Sequence, residues 1–227
     1  MRLDEVIGKA LENMTRVMRT DIQGSEDEIA AKGQELIDRG YMPYDKEAFA
    51  GIVKWLAMPD PSKGLLLSGK AGTGKTMFAK MLASKKITPR RYRRWRMLTA
   101  PEFVQHWMDC DGRMDCQFWY RALRVYDCET EYVEVIIDDL GQESVGIAYG
   151  YREEVMDQVL CRRYRDWKDR GRLNVITTNL SPSELEKRYG RRVTDRLCEM
   201  CGIVEFESNS VRGIEMVAND SDNEIAS

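Results

Sequence analysis

Residues Gly69-Lys70-Ala71-Gly72-Thr73-Gly74-Lys75-Thr76 fit the phosphate-loop pattern G-x-x-x-x-G-K-[ST] at every required position, directly after the apolar run Leu65-Leu66-Leu67. In such a loop the glycines let the backbone turn tightly, so that successive N–H groups face an anion, and the following helix adds the positive end of its dipole. Gly69, Gly72, Thr73 and Gly74 then line the phosphates of a nucleoside triphosphate. Lys75 reaches the β and γ phosphates, and Thr76 holds Mg2+ through its hydroxyl. A carboxylate must meet that metal from across the site, and Val133-Glu134-Val135-Ile136-Ile137-Asp138-Asp139 supplies an apolar strand ending in two. Asp138 is the metal-side carboxylate and Asp139 the candidate to polarise the attacking water.

These residues need a scaffold, and the rest of the chain reads as one. A run this apolar and β-branched suits a parallel strand buried on both faces, with ligands at its carboxyl end. Leu173 to Asn179 is a second such run, and a shorter strand spans Arg96 to Thr99. Between them lie helical patterns from Met77 to Lys86, after the cap Thr99-Ala100-Pro101-Glu102 through Phe103 and Trp107, and from Arg152 to Arg170 with Gly171 as terminator. Cys110 to Tyr132 reads as less regular. Strands alternating with helices predict an α/β fold with a doubly wound parallel sheet.

Upstream, apolar residues from Leu3 to Met18 recur at helical spacing, and Ser25-Glu26-Asp27-Glu28 opens a second helix that Gly40 ends. These helices either pack on the main domain or present a face to another protein. A short amphipathic segment from Asp45 to Met58 leads to the turn Pro59-Asp60-Pro61. Five arginines and two aromatics interleave between Pro89 and Arg96, a composition that suits either a grip on single-stranded DNA, with Arg91, Arg93 and Arg94 on phosphates, or a solvated basic loop. The organisation expected is a helical partner-binding region at 1–40, an ATPase domain at 41–217 and a polar, acidic tail at 218–227.

With 43% hydrophobic residues the 227-residue chain can bury a core, and a net charge of −3 points to no particular partner. No apolar run approaches the roughly 20 residues that span a bilayer, and no signal-peptide core opens the chain, so a cytoplasmic protein without membrane contact is expected. One C-x-x-C pair (Cys198, Cys201) and one histidine, His106, make a poor zinc site. The six cysteines are expected to be mostly reduced thiols.

A phosphate loop alone also suits kinases, GTPases and transporter ATPases. Five motifs in order narrow the choice: Gly69 to Thr76, Ile136-Ile137-Asp138-Asp139-Leu140-Gly141-Gln142-Glu143, Ile176-Thr177-Thr178-Asn179-Leu180, Gly190-Arg191-Arg192-Val193-Thr194-Asp195-Arg196-Leu197, and Ser210-Val211-Arg212. From about residue 41 to 213 the chain resembles the AAA+ ATPases of the DnaC and DnaI helicase-loader group and the related IstB-type transposition helpers. The resemblance implies a P-loop NTPase fold without a C-terminal lid, ATP with Mg2+ as cofactors, and ATP hydrolysis. It further implies that Asn179 is the sensor residue holding the attacking water or γ-phosphate, that Arg212 belongs with the nucleotide contacts, and that Arg196, or else Arg192, is the arginine finger given to a neighbour's site. An arginine in trans requires a homo-oligomer with ATP. Where many AAA+ enzymes carry a glutamate after the metal aspartate this chain has Asp139, with Glu143 in reserve. The implied function is a DNA replication helicase loader acting on a replicative DNA helicase and single-stranded DNA. The alternatives are an IstB-like helper of a transposase and a non-catalytic, nucleotide-switched interaction protein.

Overall fold

The computed structural model describes residues 26–41, 45–58, 60–84, 95–123 and 133–207. Its strands are β1 (Gly64–Gly69), β2 (Trp95–Thr99), β3 (Glu134–Leu140), β4 (Gly146–Ala148), β5 (Tyr151–Glu153), β6 (Asn174–Thr178) and β7 (Cys201–Phe206). Five of them pair in parallel in the order β2-β3-β6-β1-β7, while β4 and β5 form a separate antiparallel hairpin. The helices are α1 (Glu26–Asp38), α2 (Lys46–Ala57), α3 (Lys75–Ala83), α4 (Ala100–Asp109), α5 (Cys116–Leu123), α6 (Val155–Arg170) and α7 (Pro182–Met200).

Successive strand residues point to opposite faces, and the apolar blocks thereby feed two cores. Leu65, Leu67, Ile136 and Val175 join α1, α2 and α3 on one face. Leu66, Val135, Ile137 and Ile176 join α4, α5, α6 and α7 on the other. The doubly wound sheet expected from the sequence is therefore the fold. Its strand order places β1 between β6 and β7, so the winding reverses around β1 and opens a crevice beyond its carboxyl end.

Local chemistry sets the helix limits. Thr99 opens α4 and Ser181 opens α7 with complete capping boxes to Glu102 and Glu184, and both helices carry proline in the first turn. Gly171 closes α6 in the left-handed conformation. The continuous α7 is interrupted at Gly190, whose φ of 76° and ψ of 158° are not helical, so Arg191 to Met200 forms a second segment with its own direction.

Two features depart from the sequence expectation. The stretch read as irregular contains α5, which buries Phe118, Trp119, Ala122 and Leu123. The helix expected from Arg152 begins at Val155, because Tyr151 to Glu153 pairs with Gly146 to Ala148 across Tyr149 and Gly150. Both turn residues have positive φ, as a two-residue hairpin requires. Within the amino-terminal region, α1 buries Ile29, Gly33 and Leu36, with Gly33 against Phe49 and Val53 of α2. The helix expected at 3–18, Arg91, Arg93, Arg94, Cys128, Arg212 and the tail lie outside the described residues. The other five cysteines are free thiols. Among the described residues no helix is long and apolar enough to cross a membrane.

Candidate nucleotide site

The phosphate loop bridges β1 and α3. Gly69, Gly72 and Gly74 have φ of 135°, 81° and 98°, in the region where a side chain is strained. At Gly69 a Cβ would also stand 2.4 Å from the carbonyl oxygen of Phe206 on β7, so only glycine permits this approach. Gly74 caps α3, with no side-chain hydrogen bond at that end. The first-turn amides thus keep their direction toward the loop, the arrangement that binds anions.

Lys75 is buried and its Nζ curls back on the loop, donating to the carbonyl oxygens of Gly69 and Lys70 at 2.7 Å each and to Thr73 Oγ1 at 3.2 Å. The ammonium is held by neutral acceptors inside the loop, from which a phosphate oxygen can draw it. Behind the loop, Tyr41 stacks on Phe49 and meets Phe78 of α3 edge-on. Burial pushes the Tyr41 hydroxyl well above the usual phenol range, with the Asp45 carboxylate adding to the effect. Asp45 caps α2 through Ala48 N–H and also accepts from Glu207 N–H at 2.8 Å, tying α2 to the residue after β7.

Across the crevice, β3 delivers Asp138, only 2% exposed. Thr76 Oγ1 donates to its Oδ1 at 3.1 Å, and Thr177 Oγ1 of β6 donates to the same oxygen at 2.5 Å. Among the described residues no lysine or arginine forms an ion pair with Asp138. A buried carboxylate met only by hydroxyls is costly unless a cation completes it, and a hydroxyl beside a carboxylate is the hard-oxygen donor set that suits Mg2+. The residues present therefore fit the metal expected from the sequence.

Asp139 follows with φ of 56°, at the point where the β3–β6 register shifts between Ile137 and Leu140. Its N–H donates to Thr177 Oγ1 at 2.9 Å. Thr178 Oγ1 donates to Leu140 carbonyl oxygen at 2.7 Å and accepts from Leu180 N–H at 3.1 Å, which fixes the backbone on both sides of half-buried Asn179. The structure thus gathers Gly69, Gly72, Thr73, Gly74, Lys75, Thr76, Asp138 and Asp139 around one crevice, with Asn179 at the end of the adjoining strand.

Three candidates sit elsewhere. Arg196 is held by its own chain, with Nη1 donating to Cys161 Sγ at 2.8 Å and the guanidinium 5.1 Å from the Tyr164 ring centroid, both on α6. Arg192, one turn earlier, is exposed. Glu143 is buried as a fastener: it accepts from Gly141 N–H at 2.8 Å and from the Tyr189 hydroxyl, and pairs with Arg188 at 2.9 Å. Arg188 also donates to Gly141 carbonyl oxygen at 2.7 Å. Burial and the Glu143 carboxylate push the Tyr189 hydroxyl far up, so it remains a donor. The sequence reading passed over Thr177, Arg188 and Tyr189. Thr177 stood in a named motif, as a polar residue in an otherwise apolar strand facing the aspartate strand. The clamp joins residues about forty-five positions apart, and nothing local in the sequence reports it.

No protein-family model matches the sequence, and no curated protein does. Solved structures do. AMPPCP-bound DnaA from Aquifex aeolicus superposes with a TM-score of 0.51 at 18% identity, over 77% of this chain and 50% of that one. Domain III of the Thermotoga maritima replication initiation protein DnaA gives 0.50 at 18% identity, over 77% and 67%. The chain shares the fold of these two DnaA structures. The DnaC helicase loader also matches, with a TM-score of 0.48 at 17% identity over 88% of this chain and 99% of that one. The crevice described above lies where β1, β3 and β6 end, on the phosphate-loop side of the sheet.

Proposed function

We propose that the chain is an ATP-hydrolysing AAA+ helicase loader of DNA replication. The observation that carries the nucleotide part is the buried Asp138 carboxylate, which meets Thr76 of a complete phosphate loop and, among the described residues, has no side-chain cation. The loader part is supported by five motifs in the order and spacing of that group.

Lys75 and the loop amides would bind the triphosphate, while Thr76 and Asp138 would hold Mg2+. The bound metal supplies charge neutralisation on the β- and γ-phosphates. Asp139 is assigned to orient the attacking water, Asn179 to hold it or the γ-phosphate, and Arg212 to the nucleotide. For the trans contact we favour exposed Arg192 as the group that crosses to a neighbour's site, with Arg196 bracing α7 on α6. A homo-oligomer that forms with ATP follows from this assignment, and single-stranded DNA would be gripped by Arg91, Arg93 and Arg94.

Partner choice is assigned to the amino-terminal region. Because α1 contributes Leu36 and Ile29 to the core, the informative truncation removes residues 1–25 and keeps α1. Affinity capture from host lysate with ATP and Mg2+ should retain a replicative helicase on the full chain and lose it on the truncated chain. Retention of a transposase, or equal recovery by both, would contradict the loader reading. Solution mass with a slowly hydrolysed ATP analogue should rise with protein concentration, whereas a monomer with full hydrolytic activity would contradict the trans arginine.

A further inference from the structure

The geometry points to Thr177 as the positioning residue that sets both aspartates of the site and ties them to the strand carrying Asn179. The inference rests on the nucleotide-site reading above and assigns a role to a residue outside the phosphate-loop and aspartate motifs. Thr177 is fully buried on β6, and its single hydroxyl makes two bonds of opposite sense. It donates to Asp138 Oδ1 at 2.5 Å and accepts from Asp139 N–H at 2.9 Å. Donation fixes the carboxylate's rotation, because Thr76 donates to the same Oδ1 and the two hydroxyls leave Oδ2 as the other acceptor. Acceptance stabilises a strained backbone, since Asp139 holds φ of 56° where the two strands lose register.

The neighbouring ladder cannot replace these bonds. Regular pairing of β3 with β6 runs through Ile137↔Ile176 and resumes only at Leu140↔Thr178, so Asp138 and Asp139 stand in the interruption. Thr177 bridges that gap with a side chain. Asn179 follows two residues later on the same strand end, with Thr178 pinned to Leu140. Movement of β6 under a bound γ-phosphate would therefore reach Asp138 through one hydroxyl.

The hydroxyl alone is needed, so Thr177→Ser should behave as wild type and Thr177→Val, which keeps shape, should not. Nucleotide affinity of the full chain is measured by calorimetry with ATP in EDTA and with ATP in Mg2+, and Mn2+ binding in the presence of ADP is measured by electron paramagnetic resonance. For Thr177→Val the EDTA affinity should match wild type, while metal affinity falls about 10- to 100-fold, as for residues that orient a metal ligand. Thr177→Ala, free of any packing conflict from the second methyl, should show the same loss if the valine variant does not fold. Wild-type metal affinity in folded Thr177→Val or Thr177→Ala would overturn the role of Thr177 while leaving the nucleotide site standing. Failure of wild type to bind ATP in either condition would overturn the site reading itself, and the inference with it.

Discussion

Strands β3 and β6 bury charge at both of their ends, and the two ends treat it differently. At the amino ends, Arg163 is fully buried and fully engaged: it donates to Asn174 Oδ1 at 2.8 Å, to Asp166 at 2.9 Å and to the Val133 carbonyl oxygen at 3.0 Å. Glu134 there accepts from Leu173 N–H and pairs with Arg172 at 3.5 Å. Each charge has an opposite charge of the same chain. At the carboxyl ends, Asp138 is as buried as Glu134 but, among the described residues, has hydroxyl partners only. Burial of a carboxylate therefore does not distinguish a site from a scaffold. The distinguishing feature is whether the protein supplies the counter-charge or leaves it to a ligand.

The sharpest way to break this contrast is to remove a charge from the self-sufficient end. Arg163→Ala should destabilise the protein by about 3–5 kcal/mol, because Asn174 Oδ1 and the Val133 carbonyl oxygen lose their buried donor and Asp166 is left with Arg162. In a domain of this size the melting temperature should fall by roughly 10 °C. ATP affinity per folded molecule should be unchanged. If the melt is unaffected, the amino-end network is not the stabilising element described.

Lys75→Ala should do the reverse. Its melting temperature should lie near that of wild type, while ATP affinity measured with a fluorescent analogue falls on the order of 100-fold, as expected when a buried charge-assisted contact is deleted. Nucleotide binding equal to wild type would remove the phosphate loop from the account.

A smaller effect separates the ends by pH. Burial pushes the Glu134 carboxyl up to about 7 from an ordinary 4.5, outweighing the Leu173 N–H and the charges of Arg163 and Arg172. The folded state therefore holds this proton more tightly than the unfolded state. The group's contribution to stability is greatest below 4.5, declines as pH rises toward 7, and is constant above. Glu134→Gln keeps the neutral form at every pH, so its melting temperature relative to wild type should increase from pH 5 to pH 7.5. A flat difference would show that Glu134 is charged in the fold throughout this range.

The two capping boxes give the smallest test. Thr99→Ala and Ser181→Ala should each cost about 1 kcal/mol. Both caps stand at strand ends beside the site, Thr99 in register with Asp138 across β2 and β3 and Ser181 just after Asn179, so each variant should also lower ATP turnover. Unchanged turnover in both would confine the caps to a role in stability.

Much of this was legible in the sequence because the relevant signals are local. A phosphate loop is eight consecutive residues, and buried parallel strands announce themselves as unbroken apolar runs such as Val135-Ile136-Ile137. Hence the sheet, the crevice and the Thr76–Asp138 meeting were readable. The missed elements are those fixed by contacts across the fold. Helix α5 shows only two apolar pairs within eight residues, and β7 alternates too weakly around Gly202 and Glu205 to announce a strand. The engagement of Arg196 by Cys161 and Tyr164, and of Glu143 by Arg188 and Tyr189, joins distant segments. A motif names these residues without saying which way each side chain is held.

The most direct test of the central claim is calorimetric titration of ATP into wild type and Asp138→Asn, each with Mg2+ and with EDTA. If the crevice leaves its counter-charge to a ligand, wild type should bind ATP more tightly with Mg2+ than without, and Asp138→Asn should bind equally in both conditions at the wild-type EDTA affinity. Absence of ATP binding by wild type, or a full Mg2+ effect in Asp138→Asn, would contradict it.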